Sequence, residues 1–154
     1  MRNILVYVFI LISVGVTFYY FSPTKIEQIY VNNHDHRAVI ANISNPPKNI
    51  DSAISWWIEN KDIFSHYFNG ESIGKYILFS KNKFEKESKE ENAQICIPSR
   101  RQSVNNCINL DDRLFFVTRK DKGYWMGFYD YYSDNSCNVF IHDSGDIEFI
   151  NCQK

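Results

Sequence analysis

The sequence predicts an α+β fold: an N-terminal transmembrane helix followed by an antiparallel β-sheet, arranged as a meander, with one amphipathic helix packed on it. Three observations predict it. Residues 4–21, opening at Ile4 and closing at Phe21, carry no charge. Residues 51–68 hold the clearest helical spacing of apolar side chains, and the remainder is a series of short β-branched or aromatic runs cut by turn residues.

The uncharged run of eighteen residues would rise about 27 Å as a helix, close to the hydrocarbon thickness of a bilayer. It is preceded by Arg2 alone and ends in Phe18, Tyr19, Tyr20 and Phe21, the aromatic composition of a membrane interface. A cleaved signal peptide is the competing reading. Its nearest small-residue cleavage site, Ser13 with Gly15, would leave an apolar core of only about nine residues. Residues 1–22 are therefore expected to be a membrane anchor or signal peptide, and residues 23–154 an α+β domain. Ser22, Pro23 and Thr24 end the apolar run, and residues 26–31 and 37–43 read as a strand hairpin about a polar turn. Pro46 and Pro47 precede the helical segment, where Asp51 is a plausible N-cap and Asn69-Gly70 a terminator. Ala53, Ile54, Trp57, Phe64 and Phe68 recur at steps of three and four, and Trp56, Ile63 and Tyr67 widen the same side. A helix so broadly apolar packs on a sheet. Residues 73–80 read as a strand, and residues 81–94, with eight charges, as a solvated segment. Strands are then expected at 95–97, 113–119, 124–132, 137–142 and 146–152, with hairpin turns at Asp121-Lys122-Gly123 and Asp143-Ser144-Gly145.

Composition bounds function. Seventeen Lys and Arg against eighteen Asp and Glu, in 154 residues, leave no cationic face for a nucleic acid. With 44% apolar residues the chain is too apolar for disorder and long enough for a core. The four cysteines, Cys96, Cys107, Cys137 and Cys152, are even in number and lie in the last 60 residues. Spacing favours the local pairings Cys96 with Cys107 and Cys137 with Cys152, each closing a hairpin. No Cys-x-x-Cys pair supports zinc, so disulfides and an oxidising compartment are expected.

Chemistry-bearing motifs are sparse. His34-Asp35-His36 could offer two imidazoles to one side of an extended chain, but a third ligand would have to come from His66, His142 or Asp143, and a solvated turn is the simpler reading. No Gly-x-Ser-x-Gly, His-Glu-x-x-His or phosphate-cradling glycine loop is present, and Asp111-Asp112-Arg113 reads as an exposed charge cluster. No catalytic residue, metal or cofactor is therefore assigned. The aromatic strand is the remaining signal. Alternation puts Tyr124, Met126, Phe128 and Tyr132 on one face, and Trp125, Tyr129 and Tyr131 on the other, with Asp130 as a polar rim. If the second face is open, it suits a protein partner or a sugar polymer.

The order of parts resembles a family of small enterobacterial proteins of unknown function with one N-terminal transmembrane segment. The likeness rests on the apolar run, the early hairpin, Ile54-Ser55-Trp56-Trp57-Ile58-Glu59-Asn60-Lys61-Asp62, then Ile95-Cys96-Ile97, Asn106-Cys107-Ile108, and Gly145-Asp146-Ile147. It implies no activity, only a single-pass inner-membrane protein held through residues 4–21 with its domain in the periplasm. In that setting the expected function is non-enzymatic protein binding through Trp125, Tyr129, Asp130 and Tyr131. An immunity protein that neutralises a toxin effector is its most concrete form, with glycan binding and a metal-dependent hydrolase as alternatives.

Overall fold

The computed structural model describes residues 7, 9, 10, 12, 13, 22–31, 38–68, 75–82, 94–97, 106–129 and 137–152. Strands β1 (Lys25–Val31) and β2 (Ala38–Ser44) lead into helix α1 (Ile50–Phe68). Then follow β3 (Tyr76–Ser80), β4 (Gln94–Ile97), β5 (Asn106–Asn109), β6 (Arg113–Lys120), β7 (Gly123–Phe128), β8 (Asn138–His142) and β9 (Ile147–Ile150).

Seven strands form one sheet in the order β1-β2-β3-β6-β7-β8-β9, and β4 and β5 pair separately. The sheet corrects the expected antiparallel meander. β2 and β3 run parallel, because the chain returns through α1 before β3 begins and a helical crossover brings the next strand in with the same direction. The remaining pairs, including the β6 to β9 meander, are antiparallel. Among the described residues the architecture is mostly β, a mixed sheet with one helix packed on it.

The transmembrane helix is the second correction. Among the described residues no helix is long and apolar enough to cross a membrane, which overturns the single-pass inner-membrane assignment. The described helical positions in the apolar run are Tyr7, Phe9, Ile10, Ile12 and Ser13, and the rest of the run lies outside the described residues.

α1 starts one residue earlier than expected because Asn49, not Asp51, is its cap. The Asn49 side chain accepts from the Ser52 amide at 2.8 Å, and the Asn49 amide donates to Ser52 Oγ at 3.1 Å, so each residue satisfies an otherwise orphaned N–H of the other. The helix lays Ala53, Ile54, Trp56, Trp57 and Phe64 on one face of the sheet, against Ala41, Ile43, Ile77, Phe79, Phe115, Val117, Met126, Val139 and Ile141. Trp57 stacks on Phe64 with centroids 5.7 Å apart and meets Phe79 and Tyr124 edge-on at 6.1 and 5.3 Å. Trp56 meets Phe79 and Phe115 at 5.5 and 6.3 Å, whereas Ile63, on the same side of the helix, is exposed.

The opposite face is covered in part by the β4–β5 hairpin, whose Ile108 and Ile95 pack on Ile40, Leu78, Phe116 and Tyr30. Cys96 stands opposite Cys107 in that hairpin and is bonded to it, and Cys137 is bonded to Cys152 across β8 and β9. Both local pairings are those the spacing favoured. β5, which the sequence reading left within a gap between strands, is what completes the first of them.

Asn42 and Ser80 face each other across β2 and β3 on the hairpin side, buried and without a hydrogen-bond partner. Buried orphan polar groups each cost about 1–3 kcal/mol. Replacing both, as Asn42→Leu with Ser80→Ala, is therefore expected to hold or raise stability by roughly 1 kcal/mol in urea unfolding. A fall of that size would mean the two groups bind a buried water and would overturn the expectation.

Candidate functional site

The hairpin face carries the aromatic strand residues. Period-two alternation along β7 turns Met126 and Phe128 into the helix-side core and leaves Trp125 on the hairpin side, half-buried. Register then sets its neighbours. Tyr76, Thr118, Trp125, Phe140 and Glu148 stand in one row across β3, β6, β7, β8 and β9. Leu78, Phe116, Gly127 and Asn138 stand in the next.

Gly127 matters for a steric reason. A Cβ there would lie 2.3 Å from Phe116 Cε1, so the ring of Phe116 occupies the space above the glycine, between Trp125 and Tyr129. Phe116 in turn meets Tyr129 at 5.9 Å, and the guanidinium of Arg113 lies over the Tyr129 ring, its Cζ 4.2 Å from the centroid. Arg113 is held there by the bond its Nε donates to Leu110 O at 2.8 Å. Tyr76, Phe116, Thr118 and Tyr129 line a shallow, open hollow of about 290 Å³. Thr118 lines it and donates its hydroxyl to Lys75 O at 2.7 Å. The hollow is close to the lower limit for a small-molecule site and has room for one large side chain.

Two of the four residues singled out in the sequence, Trp125 and Tyr129, are thus on this face. Asp130 and Tyr131 lie outside the described residues. Tyr129 is also structural, packed beside Ile40, Leu78 and Ile108, while Trp125 is not in that cluster. Sequence reasoning missed Tyr76, Phe116, Thr118 and Phe140. Each alternates correctly within its own strand, but cross-strand register is what brings them beside Trp125: the β6–β7 and β7–β8 pairings place Thr118, Phe116 and Phe140, and the long-range β3–β6 pairing places Tyr76.

The other charged groups lie outside the hollow, with Glu148 and His142 on the same sheet face as Trp125. Arg119 makes a bidentate pair with Asp143 at 2.6 and 2.8 Å and lies over the Tyr124 ring, toward the helix side. Their hydrogen bonds hold the Asp143 carboxyl below the ordinary carboxylate range and raise the Arg119 guanidinium further. His142 sets Nε2 3.6 Å from Glu148 and its ring edge-on to Phe140 at 4.6 Å. Among the described residues no three His, Cys, Asp or Glu side chains converge on a metal position, and His34, Asp35 and His36 lie outside them. Asp111 and Asp112 form a 3-10 turn capped by Asn109, with Asp112 accepting from Asn82 at 2.7 Å.

No family model, curated protein or solved structure matches the chain.

Proposed function

We propose that the protein acts by binding another protein, not by catalysis, and that it does so through the sheet face opposite α1. The observation that carries this is the aromatic hollow of about 290 Å³ walled by Tyr76, Phe116, Thr118 and Tyr129, with Trp125 alongside and Arg113 behind Tyr129. A shallow pocket lined by two Tyr, a Phe and a Thr, with Trp125 on the same face and Arg113 over Tyr129, has the composition and scale of an interface hot spot. The two disulfides and the two-sided core support a rigid surface, which lowers the entropy cost of association. In its most concrete form the partner is a toxin effector whose active site the face occludes, which makes the protein an immunity protein.

Two substitutions test the reading. Trp125→Ala and Tyr76→Ala are each expected to weaken capture of a stoichiometric protein partner by about 30-fold, the effect of a typical hot-spot truncation, with the unfolding midpoint little changed. Retention of full affinity by both variants would sink the proposal. Capture of a cell-wall polysaccharide in place of a protein would replace it with the glycan reading.

A further inference from the structure

A second surface lies at the far edge of the sheet and does not depend on the reading above. β9 is an edge strand, with β8 its neighbour on one side and, among the described residues, no strand on the other. In the β8–β9 hairpin the His142 amide donates to Asp146 O at 2.8 Å. Antiparallel ladders alternate, so Glu148 and Ile150 exchange bonds with Phe140 and Asn138, while the backbone N–H and C=O of Ile147 and Phe149 point outward. The same two residues expose their side chains, by 42% and 53%.

Their side chains project to the helix face, with Phe149 near the first turn of α1. A cavity of about 690 Å³ opens there, lined by Phe149, Ile50, Asp51, Asn151 and the Cys137–Cys152 bridge. The opposite edge is built differently. β1 shows Lys25 and Glu27 to solvent and carries a bulge between Ile26 and Gln28, two devices that blunt edge pairing. The β8–β9 ladder has no bulge.

The charge around β9 is acidic. Asp51 stands in the cavity wall, Asp146 at the turn, and Glu148 projects to the other face, its carboxylate 3.6 Å from His142 Nε2. A second copy pairing β9 to β9 would set two Glu148 carboxylates on one face, a like-charge arrangement that disfavours self-association. We infer that β9 accepts an extended partner segment as an added strand, with apolar residues entering the Phe149 cavity and alternating Lys or Arg meeting Glu148.

The test uses the whole disulfide-bonded chain and an acetylated, amidated hexapeptide of alternating valine and lysine. Binding is expected to slow amide exchange at Ile147 and Phe149 at least tenfold and leave the β1 amides unchanged. Phe149→Pro should reduce affinity at least tenfold with the hairpin intact, because the amide it removes is not used by the β8–β9 ladder. Glu148→Lys should reverse the preference toward a valine and glutamate peptide. Equal binding of both peptides by the unaltered protein overturns the charge assignment. Protection at β1, no protection at all, or concentration-dependent dimerisation through β9 overturns the proposal.

Discussion

Trp57→Ala is expected to remove about 3–5 kcal/mol of stability, the largest loss of any single substitution discussed here. Trp57 is fully buried and sits at the centre of the helix-side core, touching Phe64, Phe68, Phe79 and Tyr124. Its removal leaves a cavity that α1 and the sheet cannot close without dragging four rings from their contacts. A domain of ordinary stability, about 5–15 kcal/mol, would be left marginal or unfolded at ambient temperature. Trp57→Phe separates packing from polarity. The indole Nε1 is buried and has no acceptor, so the phenyl ring gives up volume but also removes an orphan donor. It should cost clearly less than the alanine variant, roughly 1–2 kcal/mol in urea unfolding. Equal losses for the two would show that the indole N–H is satisfied in solution.

Removing the Cys137–Cys152 bridge, as the double alanine variant, should cost roughly 3 kcal/mol, the chain-entropy value for a closed loop of about fifteen residues. The sequence separation of the pair is 15. This bridge also fastens β9, which is joined to the rest of the sheet through β8. Exchange of the β9 amides is therefore expected to rise beyond what the global loss explains, while β2, β3 and β6 follow global unfolding. The bridge Cys96–Cys107, with a separation of 11, closes an already paired hairpin and should cost a similar amount without that selective effect on β9. A uniform loss of protection after breaking Cys137–Cys152 would contradict the anchoring role.

What the sequence made legible follows from how local each signal is. The strand alternation of Trp125 against Met126 and Phe128, the helix from its Trp56 and Trp57 face, and the hairpin pairings of the cysteines all depend on residues within about fifteen positions of one another. What it hid depends on distant placement. The β2–β3 parallel register joins Ile40 to Leu78 across the helix, and nothing in either strand's composition marks direction. Tyr76 reaches the row of Trp125 only through the equally distant β3–β6 pairing, whereas Phe116 and Phe140 come beside Trp125 through the local β6–β7 and β7–β8 pairings. The uncharged run of residues 4–21 shows the opposite error. Its composition matches a membrane span, yet no helix among the described residues is both long and apolar enough to cross a membrane.

The crossover has a further consequence for the order in which the domain can form. The β6 to β9 meander is made of neighbours in the chain and can close by hairpin formation, on the order of microseconds. β3 meets β6 only across residues 80 to 113, and α1 has no sheet beneath Trp56, Trp57 and Phe64 until β3, β6 and β7 are aligned. During synthesis the aromatic helix emerges well before the strands that cover it. The nascent chain thus carries its stickiest surface uncovered for the time needed to make about sixty more residues, several seconds at cellular elongation rates, and in that interval its fate depends on whatever shields that surface from aggregation.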